Sequence, residues 1–288
     1  MKGIILAGGT GSRLYPLTLA TSKQLLPVYD KPMIYYPLST LMLAGVTEIL
    51  VITTPHEQEQ FLRLLGDGSQ FGITINYAVQ TKPNGIAEAF LIAEDYLAGE
   101  PVCLILGDNI FYGPGMGTAL SQNSSIRGAR IFTIASQTPE RFGVINFDSS
   151  GRPISIEEKP AQPITNLVIP GIYFFDETAS ERAKLLRPSG RHELEITDLL
   201  RSYLDEGLLL VENLGHKVTW VDSGTIESLN EAADLIRTIE ENEKRKINVP
   251  EEIAWRLGLI DKSQLENLIS KYGKSDYGAY LTQLASVS

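Results

Sequence analysis

The sequence predicts an α/β protein: a mostly parallel sheet with helices on both faces, a mixed-sheet extension beyond it, and a small helical segment at the C-terminus. Three observations carry this. Apolar runs alternate with amphipathic segments up to about residue 106, the pattern of β-α-β-α units that lay strands in parallel. From about residue 129 the apolar runs crowd together with short connections, as in a mixed sheet. After Pro250 only short helical patterns remain.

Taken in order, residues 4–6 form the first buried strand and run directly into Gly8, Gly9 and Gly11. Residues 33–44 are apolar and close with Gly45, a helix with its cap. Strands follow at 48–53, 74–79 and 102–106, separated by helices at 56–65 and 85–97. Such a doubly wound sheet is Rossmann-like, and its ligands bind beyond the strand C-termini. Gly8–Gly11, Gln80 and Asp108 all fall there, so they should converge. In the second half, strands are expected at 129–136, 143–147, 154–158 and 169–175, helices at 178–186 and 197–206, and two more strands at 208–214 and 218–221. Residues 225–246 read as a long charged helix, and 251–288 as small helices.

Composition excludes several classes. The chain has 288 residues, 43% of them hydrophobic and 21% charged, enough to bury one large core or two unequal ones. A net charge of −10 argues against nucleic-acid binding, although a local cationic cleft can still hold an anion. No apolar run reaches the length of a membrane span. Met1-Lys2-Gly3-Ile4 enters the first strand at once, so no signal peptide is expected. The single cysteine, Cys103, sits in an apolar strand, which points to a reducing cytoplasm. His56, His192 and His216 are scattered without ligand spacing, which disfavours a histidine zinc site.

The richest stretch is 4–37. A buried strand ends in a glycine turn whose N–H groups can cradle an anion. Arg13 adds a planar fork of donors and Lys23 a compact charge, together suited to a polyphosphate. No Gly-Lys-Ser/Thr closes the turn, so it is not a P-loop. A dinucleotide fingerprint, as in an NAD(P) oxidoreductase, would need glycine where Leu14 stands, and Pro16 would disrupt the helix that carries the pyrophosphate. Further on, Leu104-Ile105-Leu106-Gly107-Asp108 places a carboxylate at a strand end, a position suited to Mg²⁺. Asp222 also ends a short strand, where it could equally cap the helix that follows. The amide of Gln80 can both donate and accept, which suits the N3–H and carbonyl edge of thymine or uracil.

The string Leu6-Ala7-Gly8-Gly9-Thr10-Gly11-Ser12-Arg13-Leu14-Tyr15-Pro16, followed by Lys23 and Leu26-Pro27, resembles the signature of the sugar nucleotidylyltransferases. The run 22–37 is similar to the branch that uses dTTP and glucose 1-phosphate, and separate motifs extend the likeness to about residue 257. The resemblance implies that a thymidylyl group passes to glucose 1-phosphate with release of pyrophosphate, Mg²⁺ being the cofactor. It implies a catalytic domain over 1–246, with a nucleotide-binding half at 1–128 and a sugar-phosphate-binding half at 129–246, and an interface or regulatory segment over 247–288. It assigns catalysis to Arg13, Lys23, Asp108 and Asp222, the two aspartates holding the metal. Nucleotide contacts fall to Leu6, Gly8, Gly9, Gly11, Arg13, Gln80 and Gly85. Sugar-phosphate contacts fall to Asp108, Gly143, Glu158, Lys159, Tyr173 and Arg191. Two positions depart from the branch: Phe142 stands where it usually has Tyr, and His192 where it usually has Gly.

The resemblance also implies a cytoplasmic homotetramer inhibited by dTDP-rhamnose at a second surface formed by Tyr112, Gly113, Glu252 and Arg256. A UTP-using relative is the nearest alternative, since Gln80 suits uracil too. A non-catalytic nucleotide-sugar sensor on the same fold would have lost Lys23 or an aspartate; all three are present.

Overall fold

The computed structural model describes residues 1–121, 126–215 and 217–287; His216 lies outside them. In chain order the first half runs β1 (Lys2–Ala7), a small hairpin of β2 (Pro27–Val28) and β3 (Lys31–Pro32), α1 (Tyr35–Leu43), β4 (Glu48–Thr53) and α2 (Gln58–Leu65). It continues through β5 (Thr74–Val79), α3 (Glu88–Ile92), α4 (Glu94–Leu97), β6 (Val102–Leu106), β7 (Asn109–Tyr112) and α5 (Met116–Ser121). The second half contributes β8 (Ala129–Ala135), β9 (Gly143–Phe147), β10 (Pro153–Glu158), β11 (Leu167–Val168), β12 (Ile172–Phe175), α6 (Ala179–Lys184) and α7 (Ile196–Asp205). It closes with β13 (Leu209–Asn213), β14 (Thr219–Asp222) and α8 (Ile226–Glu243), and the C-terminal helices are α9 (Pro250–Arg256), α10 (Lys262–Tyr272) and α11 (Asp276–Val287).

Among the described residues ten strands join one sheet, in the order β10-β9-β11-β8-β12-β6-β1-β4-β5, with β13 beside β8. The run β6-β1-β4-β5 is parallel, and β12 joins it to the second half as an antiparallel strand between β6 and β8. Alternation along the strands sorts the core into two faces. Ile5, Val51, Ile105 and Phe174 pack with α1, α2, α9 and α10. Ile4, Leu50, Leu104 and Phe175 pack with α3, α6 and α7. The C-terminal segment therefore shares the apolar cluster of the first half. A third cluster, including Leu14, Val28, Tyr36, Ile110 and Ile236, seats α8 on the β2–β3 hairpin and β7.

The expected α/β sheet with helices on both faces is present. Local differences have local causes. The helix expected over 85–97 starts only at Glu88 and breaks at Ala93. Its first residues are engaged elsewhere: Leu194 N–H donates to the Asn84 carbonyl at 2.6 Å and Ala87 N–H to the Leu194 carbonyl at 3.1 Å. The strand expected over 169–175 begins at Ile172, because Pro170 has no N–H for a ladder. Residues 109–112, with no strand expected, form β7 and pair antiparallel with β14. The helix expected over 225–246 ends at Glu243, where Lys244 turns to φ +55°.

Candidate active site

The turn after β1 opens the site. Gly9 and Gly11 take φ +98° and +59°, a region open to glycine at little cost, and the Thr18 hydroxyl closes the loop by donating to the Gly11 carbonyl at 2.8 Å. A 3₁₀ turn, Ser12–Leu14, buries Leu14 and leaves Arg13 exposed at the cavity wall. A second such turn, Lys23–Leu25, sends the Lys23 ammonium to the carboxylate of Asp108, which follows β6. Burial pushes the Asp108 carboxyl up, but the Lys23 charge and hydrogen bonds from Lys23 and Asn109 outweigh it and hold the group below the ordinary range.

Asp222 reaches the same place through long-range pairing. The β7–β14 ribbon sets Asp222 opposite Asn109, the residue after Asp108. Asp222 is the last residue of β14; the helix that follows is capped by Thr225, whose hydroxyl accepts from Ser228 N–H at 3.1 Å. Capping is therefore not what Asp222 does. Burial and the neighbouring Asp108 charge push its carboxyl up to about 6, against the opposing pull of Lys23, Arg13 and Arg141. A buried and a partly buried carboxylate that repel one another make a site for a cation. No group of three or more His, Cys, Asp or Glu side chains suited to a metal occurs among the described residues. A pair of aspartates fits Mg²⁺, which keeps several waters and takes phosphate oxygens as further ligands.

Asn109 and Trp220 carry no assignment from sequence, yet they fix Asp108. Asn109 Nδ2 donates to Asp108 Oδ1 at 3.0 Å, while its Oδ1 accepts from Trp220 Nε1 at 2.7 Å and from Gly171 N–H at 3.0 Å. Arg141, likewise unassigned, approaches Asp222 at 3.8 Å and lies over the Phe142 ring. Phe142 meets Trp220 edge to face at 5.0 Å between centroids, an aromatic pair in the cavity lining.

Arg13, Asp108 and Asp222 line a cavity of about 470 Å³. Gly143, Glu158, Lys159 and Tyr173 line the same cavity. Lys159 sits at φ +44°, a costly conformation for a residue with a side chain, at the turn that ends β10. Its N–H donates to the Phe142 carbonyl at 3.0 Å. Arg191 is not on the cavity wall. It pairs with Glu158 at 3.1 Å, with Glu195 at 2.7 Å and with Glu193 at 3.3 Å. Thr197 is a further lining residue, and its buried hydroxyl has no partner among the described residues.

At the nucleotide end, Gln80 follows β5 and is 5% exposed. A Cβ on Gly8 would lie 2.7 Å from Gln80 Oε1, so the glycine turn and Gln80 are in contact. A second hollow of about 310 Å³ beside them is lined by Gly9, Thr10, Tyr15, His56 and Gln80. Gly85 sits at φ +107° with its α-carbon against Leu194, where a Cβ would meet the Leu194 carbonyl oxygen at 2.3 Å. Leu6 stays in the core; its carbonyl accepts from Gly107 N–H at 2.9 Å. Away from this cleft, Tyr112, Gly113, Glu252 and Arg256 line one separate cavity of about 220 Å³.

A glycine turn, a lysine–aspartate pair and a second aspartate at the open end of a parallel sheet define an enzyme of phosphoryl-type transfer, with room for two anionic substrates. The family model described as Nucleotidyl transferase matches residues 2–239, and the chain belongs to that family. Two relatives, both named glucose-1-phosphate thymidylyltransferase, resemble it over nearly full length. That of Xanthomonas campestris pv. campestris is 55% identical over 285 residues, 99% of this chain and 97% of its own. That of Mycolicibacterium smegmatis is 51% identical over 284 residues, 99% of both chains. A Bacillus anthracis crystal structure with the same designation, in complex with a sucrose, superposes with a TM-score of 0.76 at 42% identity, over 82% of this chain and 95% of that one. No helix among the described residues is long and apolar enough to cross a membrane.

Proposed function

We propose that the enzyme transfers a thymidylyl group from dTTP to glucose 1-phosphate, giving dTDP-glucose and pyrophosphate. The observation that carries this is one cavity lined both by Arg13, Asp108 and Asp222 and by Glu158, Lys159 and Tyr173. A sugar phosphate held by Glu158 and Lys159 then has its oxygens within the same cavity as a triphosphate held by Arg13 and the aspartates. One of those oxygens forms a bond to the α-phosphorus; the α–β bridging oxygen takes the electron pair of its broken bond and leaves with pyrophosphate. The attacking oxygen is already ionised, so no protein nucleophile or base is needed. Catalysis is placement and charge neutralisation, with Lys23 and Arg13 facing the developing charge. Asp108 and Asp222 would hold Mg²⁺, which when bound supplies further neutralising charge.

The likeness to named relatives supports the dTTP preference. The same proposal takes from the family resemblance of the sequence a cytoplasmic homotetramer that supplies a deoxysugar pathway. The cavity shared by Tyr112, Gly113, Glu252 and Arg256 is then where dTDP-rhamnose would inhibit. The test is pyrophosphate release with glucose 1-phosphate against dTTP, UTP, CTP and ATP in turn. Fastest turnover with dTTP, abolished by a chelator, is expected; preference for another triphosphate would reassign the base.

A further inference from the structure

The base-facing atom of Gln80 is set by a residue that no motif marks. Gln80 Nε2 donates to Glu88 Oε2 at 2.7 Å and to the Gly85 carbonyl at 3.2 Å. A carboxylate and a carbonyl can only accept, so the amide nitrogen must face both of them. Glu88 is itself held, since its Oε1 accepts from Asn84 Nδ2 at 2.8 Å. The opposite amide atom, Oε1, is thereby turned to the glycine turn, within 2.7 Å of where a Gly8 side chain would begin. Among the described residues no donor is bonded to Oε1, and Gln80 is almost wholly buried.

We propose that Glu88 is a positioning residue that locks the Gln80 amide with its oxygen toward the base and so selects pyrimidines that carry N3–H. This deepens, and rests on, the dTTP reading of the site. Thymine and uracil donate from N3 to a fixed acceptor. Cytosine places a lone pair there, leaving two acceptors face to face and a buried oxygen unpaired. A free glutamine could turn over and serve either base; one bonded to Glu88 cannot. The lock does not separate thymine from uracil, which present the same N3–H.

The test is Glu88→Gln, whose amide can offer Gln80 either a donor or an acceptor and so frees it to turn over. The ratio of kcat/KM for dTTP to that for dCTP should fall by about tenfold or more, the scale of one mispaired buried hydrogen bond. The change should appear in KM for dTTP, with kcat and the KM for glucose 1-phosphate nearly unmoved. Asn84→Ala, which loosens Glu88 without replacing it, should lower the same ratio by less. In a Gln80→Ala background Glu88→Gln should cause no further fall, because the two act as one unit. A ratio unmoved in both Glu88→Gln and Asn84→Ala, or an additive loss in the Gln80→Ala background, overturns the lock. If the wild type makes no dTDP-glucose from dTTP, both this inference and the dTTP reading fall. If it does and the ratio stays put, only the lock falls.

Discussion

At the scale of single residues, the centre is the Lys23–Asp108 pair. Lys23→Ala leaves the Asp108 carboxyl buried without its counter-charge and takes away a cation that the proposed reaction uses. Steady-state kinetics should show kcat lower by about a hundredfold or more, the cost of losing one preorganised charge stabiliser. A rise confined to the KM for dTTP would make Lys23 a binding group instead. His192 offers a second test. It stands at φ +61°, which explains why glycine suits the position. His192→Gly should raise stability by about 1 kcal/mol in denaturant titration, the left-handed strain outweighing the entropy glycine adds to the unfolded chain. Turnover should not change. Residues of this scale were unevenly legible. Gln80 is placed only by its position at the end of a strand, whereas Arg13 and Lys23 stand out in sequence because they follow a glycine turn in a recognisable string. Asn109 and Glu88 do not, because each matters only through a partner: Asn109 through Trp220, 111 positions away, and Glu88 through an amide whose orientation no pattern records.

At the scale of elements, the inner parallel strands β1, β4 and β6 were readable because they are buried on both faces and appear as apolar runs, while the edge strand β5 is partly exposed and interrupted by Asn76. The β7–β14 ribbon was half readable. Thr219–Asp222 alternates enough to be seen, whereas Asn109–Tyr112 follows Asp108 so closely that it reads as loop. The meeting of the two aspartates is thus a long-range event. The C-terminal helices carry a feature that periodicity could not show. Glu251 on α9 is fully buried, and its two oxygens accept from the Tyr272 hydroxyl at 2.5 Å and the Tyr277 hydroxyl at 2.6 Å. Burial raises its carboxyl above the ordinary value, and the hydroxyls and Lys271 only partly offset this. A raised acid is most stabilising below the unfolded value of about 4.3 and loses that contribution as pH climbs through the folded value. The thermal midpoint of the wild type should therefore fall relative to Glu251→Gln as pH rises from about 4 to 8, since the amide does not titrate. A difference that stays constant with pH would show that the folded and unfolded carboxyls titrate together, so that burial does not raise Glu251.

At the scale of the whole molecule, the two substrate-binding halves do not correspond to two cores. Ile253, Leu265 and Leu268 from the C-terminal helices complete the cluster begun by Ile5, Tyr35 and Phe71. A chain ending at residue 246 should accordingly fail to accumulate in soluble form, as measured by size-exclusion chromatography. A soluble, fully active truncation would mark the segment as an appendage. The position of β12 has a consequence for synthesis. It lies between β6 and β8, so the outer edge of β6 stays bare until Phe175 has left the ribosome. At ~5–20 residues per second that interval is roughly 4–14 s. During it the nascent chain offers a flat ladder of unpaired N–H and C=O groups to any neighbouring copy on the same messenger. The length of that exposed interval is therefore set by strand order, and no gain in the stability of the finished protein would shorten it.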